Sequence, residues 1–320
     1  MKEMSVVVFG GSGFIGSHLV AHLVQQGHRV LVPTRRYESA KHLIMLPGVE
    51  VVEANIHDDA VVRQLVRGKA AAINLIGILH SRRGSPYGED FKRAHVDMPR
   101  RIVTACAAEG VPRFLHMSAL GAAIDGPSMY QRSKYDGEVA ARAEPSVAAT
   151  IFRPSVVFGP GDKFLTVFAR VSRKMPFLWL PGASVDFQPV YVCDVARAFA
   201  NALQDPKTKH CVFDFGGPSI YSLGDMVRLA GRYAGCERRV YEMPMGLGRM
   251  VAGFLELLPG KPLMSRDNLD SMKHDNVVDP AIQTTTAAAL GIHLTALEAV
   301  APHYLDPQLR YDKFRANAGR

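Results

Sequence analysis

The sequence predicts an α/β fold, a doubly wound parallel sheet with helices on both faces, followed by a smaller and mainly helical C-terminal region. Three observations predict it: a β-branched run closed by glycines, further strand-like runs alternating with helical periodicity, and a change of texture after Phe158. Ser5 to Phe9 reads as the first strand and Ser17 to Gln26 as the helix after it, with Arg29 to Pro33 as the second strand. Val49 to Glu53, Ala70 to Ile76, Phe114 to Met117 and Thr150 to Phe152 continue the series. Such apolar runs suit parallel strands buried on both faces. Gly159 to Asp162 then reads as a loop, Phe164 to Lys174 as a helix and Met175 to Gly182 as a Pro-broken segment. Val190 to Val192, a helix over Ala196 to Leu203, and Val212 to Phe215 read as a return to the sheet. The expected division is a nucleotide-binding core over 1–157 and 186–216, with a substrate-binding or partner-docking region over 158–185 and 217–320.

Nearly half of the 320 residues are apolar and about a fifth are charged, which argues against a disordered or fibrous chain. The net charge of +8 favours anionic partners. The basic residues are scattered rather than interleaved with aromatics, so nucleic acid is not expected. Cys106, Cys193, Cys211 and Cys236 lie far apart, and the histidines form no HExxH or HxH pattern. Neither a metal site nor a disulfide framework is expected, and a reducing, cytoplasmic compartment fits best. The first residues do not read as a signal peptide, and no run of about 18 apolar residues suggests a membrane span.

The chemistry begins at Gly10-Gly11-Ser12-Gly13-Phe14-Ile15-Gly16, with glycine at every third position between strand and helix. Backbone amides at such a turn can approach a pyrophosphate at the helix N-terminus, the arrangement of Rossmann-type dinucleotide-binding domains. The second strand leads into Thr34-Arg35-Arg36, where an NAD-preferring site usually offers a carboxylate to the ribose 2′-hydroxyl. Arginine suits a 2′-phosphate instead, so NADP(H) is expected, with NAD(H) as the weaker alternative. Arginines that merely face solvent are the other reading. Tyr130 and Lys134 stand one helical turn apart on one face, a geometry for proton transfer in which a nearby cation lowers the phenol pKa and lysine holds a ribose hydroxyl.

Gly10-x-x-Gly13-x-x-Gly16 with Tyr130-x-x-x-Lys134 resembles the extended or atypical short-chain dehydrogenase/reductase superfamily, which includes NAD-dependent epimerases and dehydratases. Phe152 to Gly161 resembles its strand and loop beside the nicotinamide, and Val190 to Ala196 its later strand-to-helix signature. The resemblance implies cofactor contacts from Asn55 and Ile56 near adenine, from Leu75, Ile76 and Gly77 at the end of the fourth strand, and from Pro154 and Val157 near the nicotinamide. A narrower likeness rests on Ser118 to Ala122, Asp162 to Phe164, Gln188 to Val192, Gly217-Pro218, Pro262 to Asp267 and Leu290 to Ile292. These resemble the NADPH-binding accessory subunit of respiratory complex I and its bacterial relatives, in which the cofactor serves structure.

Two positions depart from the superfamily pattern. The hydroxyl that usually polarises the substrate carbonyl falls at Ala119, so Ser118 would have to replace it. His95 stands where an asparagine often supports the proton relay. Asp194 reads as the cap or orienter of the following helix. Met245 to Leu258 carries Leu247, Met250, Val251, Phe254, Leu257 and Leu258 at helical spacing, which predicts domain packing or, alternatively, docking to a membrane surface or partner. The expected function is an NADP(H)-binding structural or assembly protein associated with complex I, cytoplasmic or peripheral at the inner membrane. The alternative is an active reductase or sugar-nucleotide epimerase using Tyr130, Lys134 and Ser118 on a small molecule the sequence does not name. A sensor of cofactor redox state is a third reading.

Overall fold

The computed structural model describes residues 3–260, 262, 264–279 and 287–307. They form two compact units, one over 3–154, 193–215 and 287–293, the other over the described parts of 155–192, 216–279 and 294–307.

The first unit is built on seven parallel strands: β1 (Ser5–Phe9), β2 (Arg29–Thr34), β3 (Val49–Glu53), β4 (Ala71–Asn74), β5 (Arg113–Met117), β6 (Ala148–Pro154) and β7 (Val212–Phe215). Their order is β7-β6-β5-β4-β1-β2-β3. The order reverses between β1 and β4, which opens a crevice at the carboxyl ends of those strands, where doubly wound sheets bind ligands. The central strands are mainly apolar and buried because helices cover both faces: Val6, Val7, Val8 and Phe9 of β1 have no solvent exposure.

Helices α1 (Phe14–Gln25), α2 (Asp59–Val66), α3 (Met98–Ala108), α4 (Met129–Ala141) and α5 (Val192–Gln204) supply that cover. Gly16, Leu19, Val20 and Leu23 form the buried stripe of α1, at the spacing an amphipathic helix requires. This helix begins at Phe14 rather than Ser17, because Gly13 caps it directly and the glycine turn flows into its first turn. Phe152 on β6 is stacked between Phe199 and Phe213, at centroid distances of 4.0 and 5.3 Å. Arg113 bolts the far edge, donating to the carbonyls of Ala148 and Ala202 and to Thr208 Oγ1. Burial lowers its guanidinium pKa to about 10.

The second unit gathers helices Leu165–Lys174, Leu223–Tyr233 and Leu297–Leu305 around Phe158, Met226, Val227 and Ala301. Asp162 organises its entry loop, accepting hydrogen bonds from the amides of Gly159, Phe164 and Thr166 and from Tyr304 Oη. Val190–Tyr191 pairs with Val157–Phe158 in a separate parallel ribbon, so of the segments expected to return to the sheet only Val212–Phe215 does. Phe177–Pro181, expected as a Pro-broken segment, is a strand paired in parallel with Arg239–Met243. Its prolines stand at its borders, where a missing N–H is tolerated. Helix Met245–Leu257 forms as expected but buries Gly248 and Ala252 rather than its large apolar residues. A Cβ at Gly248 would sit 2.6 Å from Pro181 Cβ, so a close approach dictates the packed face.

Candidate functional site

The glycine turn is made by close backbone approach. Gly10 has φ of +82°, and a Cβ there would press on the Leu75 and Ile76 backbone at 3.1 and 3.2 Å. A Cβ at Gly16 would collide with the carbonyl oxygens of Gly10 and Gly11. Gly13 donates to Gly10 O at 3.0 Å and brings no side chain to the amides at the start of α1. Phe14, Ile15 and Gly16 form that first turn, which holds no acid. Unpaired amides at a positive helix end suit a phosphate, so the residues present fit a dinucleotide pyrophosphate.

Thr34 closes β2, buried, with its Oγ1 donating to Arg36 O at 3.0 Å, while Arg35 and Arg36 are exposed. Beyond β3, Asn55 Oδ1 accepts from His57 N at 3.1 Å, Ile56 packs on the core, and Asp58 caps α2 through Ala60 N. Burial, then the charges of Arg101, Arg93 and Arg35, hold His57 below its ordinary pKa. After β4, Leu75 N donates to Phe9 O at 2.9 Å and Ile76 N to Asn74 Oδ1 at 3.1 Å. Gly77 follows, and a Cβ there would lie 3.8 Å from both Lys134 Nζ and His95 Nε2.

Helix α4 starts in a capping box between Ser128 and Gln131, which fixes where Tyr130 and Lys134 stand. Lys134 is buried and its Nζ donates to Met117 O at 2.8 Å. Burial lowers its pKa to about 8, against the opposing pull of Glu138. Glu138 is itself gripped by Arg153, which donates to its two oxygens at 2.7 and 2.6 Å. Tyr130 is half-buried, edge-on to His95 and Phe91 at 5.5 and 6.0 Å. Burial pushes its phenol up to about 12. The expected lowering of the phenol pKa by Lys134 is not found: burial raises it, and Lys134 is not among the causes of the shift.

His95 lies on a π-helical turn, Lys92–Asp97, against which α4 packs closely at Gly137. Ile78 N donates to its Nε2 at 3.1 Å, so Nδ1 carries the proton and donates to Ser133 Oγ at 2.8 Å. Ser133 Oγ in turn donates to Tyr130 O. Burial, then Lys134 and His116, keep His95 well below its ordinary pKa. Both ring nitrogens are thus engaged, and the chain of bonds from His95 through Ser133 ends on the backbone carbonyl of Tyr130. Ser118, next to Met117, is 2 % exposed, and its Oγ has no hydrogen-bond partner among the described residues. Ala119 is half-buried.

Gly10, Gly13, Phe14, Ile15, Gly16, Thr34, Arg35, Arg36, Asn55, Ile56, Leu75, Ile76, Gly77, Ser118, Tyr130, Lys134 and Pro154 all belong to the first unit, and Val157 to the second. Pro154 ends β6 and its carbonyl accepts from Leu120 N at 2.9 Å. Asp194 is no N-cap: α5 begins at Val192, placing Asp194 in its first turn, ion-paired with Arg197. The sequence reading missed Ser133 and the Glu138–Arg153 pair. The i, i+4 spacing of Lys134 and Glu138 was the available signal.

The chain is 31% identical over 307 residues to the mitochondrial NADH dehydrogenase [ubiquinone] 1 alpha subcomplex subunit 9 of Mus musculus, covering 92% of this chain and 79% of that protein. It is 29% identical over 251 residues to a ceramide reductase of Caulobacter vibrioides, covering 78% of this chain and 76% of that protein. A dTDP-glucose 4,6-dehydratase of Streptomyces venezuelae, solved with NAD bound, shares the fold at a TM-score of 0.73 and 19% identity, covering 99% of this chain and 98% of that one. A family model described as the NAD dependent epimerase/dehydratase family matches residues 6–224, more than half of the chain, so this protein belongs to that family.

Proposed function

We propose that this protein holds NADP(H) as a structural element and works as a partner of respiratory complex I, peripheral to the cytoplasmic side of the inner membrane. The observation that carries the reading is the close-packed glycine turn at the start of α1, which suits a pyrophosphate, together with Ala119, which brings no hydroxyl to a substrate carbonyl. Within the first unit, Gly10, Gly13, Phe14, Ile15 and Gly16 would hold the pyrophosphate; Asn55 and Ile56 the adenine; Leu75, Ile76, Gly77, Tyr130, Lys134 and Pro154 the nicotinamide half. Thr34, Arg35 and Arg36 would hold the 2′-phosphate, since a planar guanidinium matches its oxygens in pairs. The likeness to a complex I subunit over most of the chain supports the partner.

Titration with NADPH and NADH tests the cofactor: NADPH should bind at least tenfold tighter, and Arg35→Asp should erase the preference. Equal affinities, or an Arg35→Asp protein that still prefers NADPH, would sink the assignment. The partner is tested by isolating complex I from membranes of the organism that makes this protein, where the chain should co-migrate with the complex.

A second reading, an NADPH-dependent carbonyl reductase, is favoured by the buried Ser118 hydroxyl and by the likeness to a reductase. Bound NADPH would supply a hydride to the carbonyl carbon. Tyr130 Oη, protonated at neutral pH, would give its proton to the carbonyl oxygen, with Ser118 Oγ as the second donor. If Ser118→Ala abolished a measurable turnover, this reading would replace the first.

A further inference from the structure

Helix Met245–Leu257 and the ribbon beside it turn their apolar residues outward. Met250 is 72%, Phe254 63% and Leu257 83% exposed, a level unusual for such residues on a folded unit. The ribbon repeats the pattern with strand periodicity. Leu178, Leu180 and Val240 pack on the core of the second unit, while Phe177, Trp179 and Tyr241 alternate with them and stay exposed. Trp179 and Tyr241 are register partners, as are Phe177 and the exposed Arg239, so all four share the outer face. Gly248 seats the helix against Pro181 at the end of this ribbon, which joins the two surfaces.

Charge selects the occupant. Arg173 and Lys174 end the helix that leads into the ribbon, just before Phe177, and Arg239 shares the outer face; all three are exposed, while the acid of the ribbon, Glu242, accepts a hydrogen bond from Gly182 N. Tryptophan and tyrosine among apolar residues, with Arg239 on the same face and Arg173 and Lys174 just before the ribbon in the chain, match the boundary between lipid headgroups and acyl chains. A second copy is a poorer fit, because a two-fold contact would bring Arg173, Lys174 and Arg239 towards their own counterparts. Among the described residues no helix is long and apolar enough to cross a membrane, so contact would be interfacial.

We propose that this face, Met250, Phe254 and Leu257 with Phe177, Trp179 and Tyr241, rests on the surface of an anionic lipid bilayer. It stands independently of the cofactor reading. Trp179 is the only tryptophan of the chain and reports directly on it. The full-length protein is titrated with vesicles of phosphatidylcholine, alone or with about one-third phosphatidylglycerol, a composition that gives a negative surface. With the anionic vesicles, Trp179 emission should shift to the blue and be quenched by brominated acyl chains, and the protein should sediment with them. Added salt should weaken the association. Met250→Glu combined with Leu257→Glu should reduce it at least tenfold. Arg173→Gln with Lys174→Gln should cost about fivefold per charge removed on anionic vesicles only. These positions are exposed, and circular dichroism verifies that each variant is folded. Unchanged emission without sedimentation overturns the proposal, as does binding untouched by both variant pairs. A concentration-dependent blue shift without lipid would instead show that a second copy covers the face.

Discussion

Lys134 and Tyr130 share one helix face but carry different consequences. Lys134 Nζ is buried beside Gly77, where a ribose hydroxyl would compete with Met117 O for its protons. Lys134→Ala should therefore weaken NADPH binding, while Tyr130→Phe should leave it nearly intact; calorimetry on both is sufficient, and no effect from either would make the spacing accidental. His95 and His116 are both held neutral by burial, well below the ordinary value of 6.5. Below about pH 6.5 the unfolded chain binds protons that the folded chain refuses, so stability falls as the pH is lowered, by up to about 1.4 kcal/mol per unit for each group. Lys134 obeys the same sign in a higher window: between about 8 and 10.5 its share of stability rises with pH. Urea midpoints from neutral pH into the acid range should show a shallower decline for His95→Gln, and an unchanged slope would contradict the assignment.

Elements defined by local pattern were legible in the sequence. Ser5–Phe9 and Val212–Phe215 fall where their apolar runs place them, since buried parallel strands need no partner-specific residue, and the edge strand Val49–Glu53 falls where its valines place it. Elements defined by what they pack against were not. The strand Phe177–Pro181 exists because Arg239–Met243 pairs with it, and helix Met245–Leu257 presents its apolar stripe outward because Gly248 fits Pro181. The turn into α1 is the element on which the site depends most: with backbone on every side of Gly16, Gly16→Ala should abolish NADPH binding, which titration reads directly. In β6, Phe152→Ala should cost about 3–5 kcal/mol in denaturant unfolding, because it opens a cavity between two stacked rings. A loss below about 1 kcal/mol would mean that the stack relaxes around it.

Over the molecule as a whole, the glycine turn and the Tyr130–Lys134 spacing made the cofactor domain and its family legible, because both are fixed by backbone and helix geometry. The neutral His95, the Ser133 link and the Glu138–Arg153 grip were not, because they depend on α4 meeting the π turn and β6 in space. A cofactor kept for structure stabilises by mass action without turnover, by about 2.7 kcal/mol at a hundred times its dissociation constant. Loss of one preorganised donor at Ala119 costs on the order of 10²–10³ in rate. The most direct test follows NADPH absorbance in the unaltered protein after binding is verified by calorimetry, across a broad panel of carbonyl compounds. Bound NADPH should stay reduced, whereas steady oxidation at about 1 per second or faster would contradict a structural role for it.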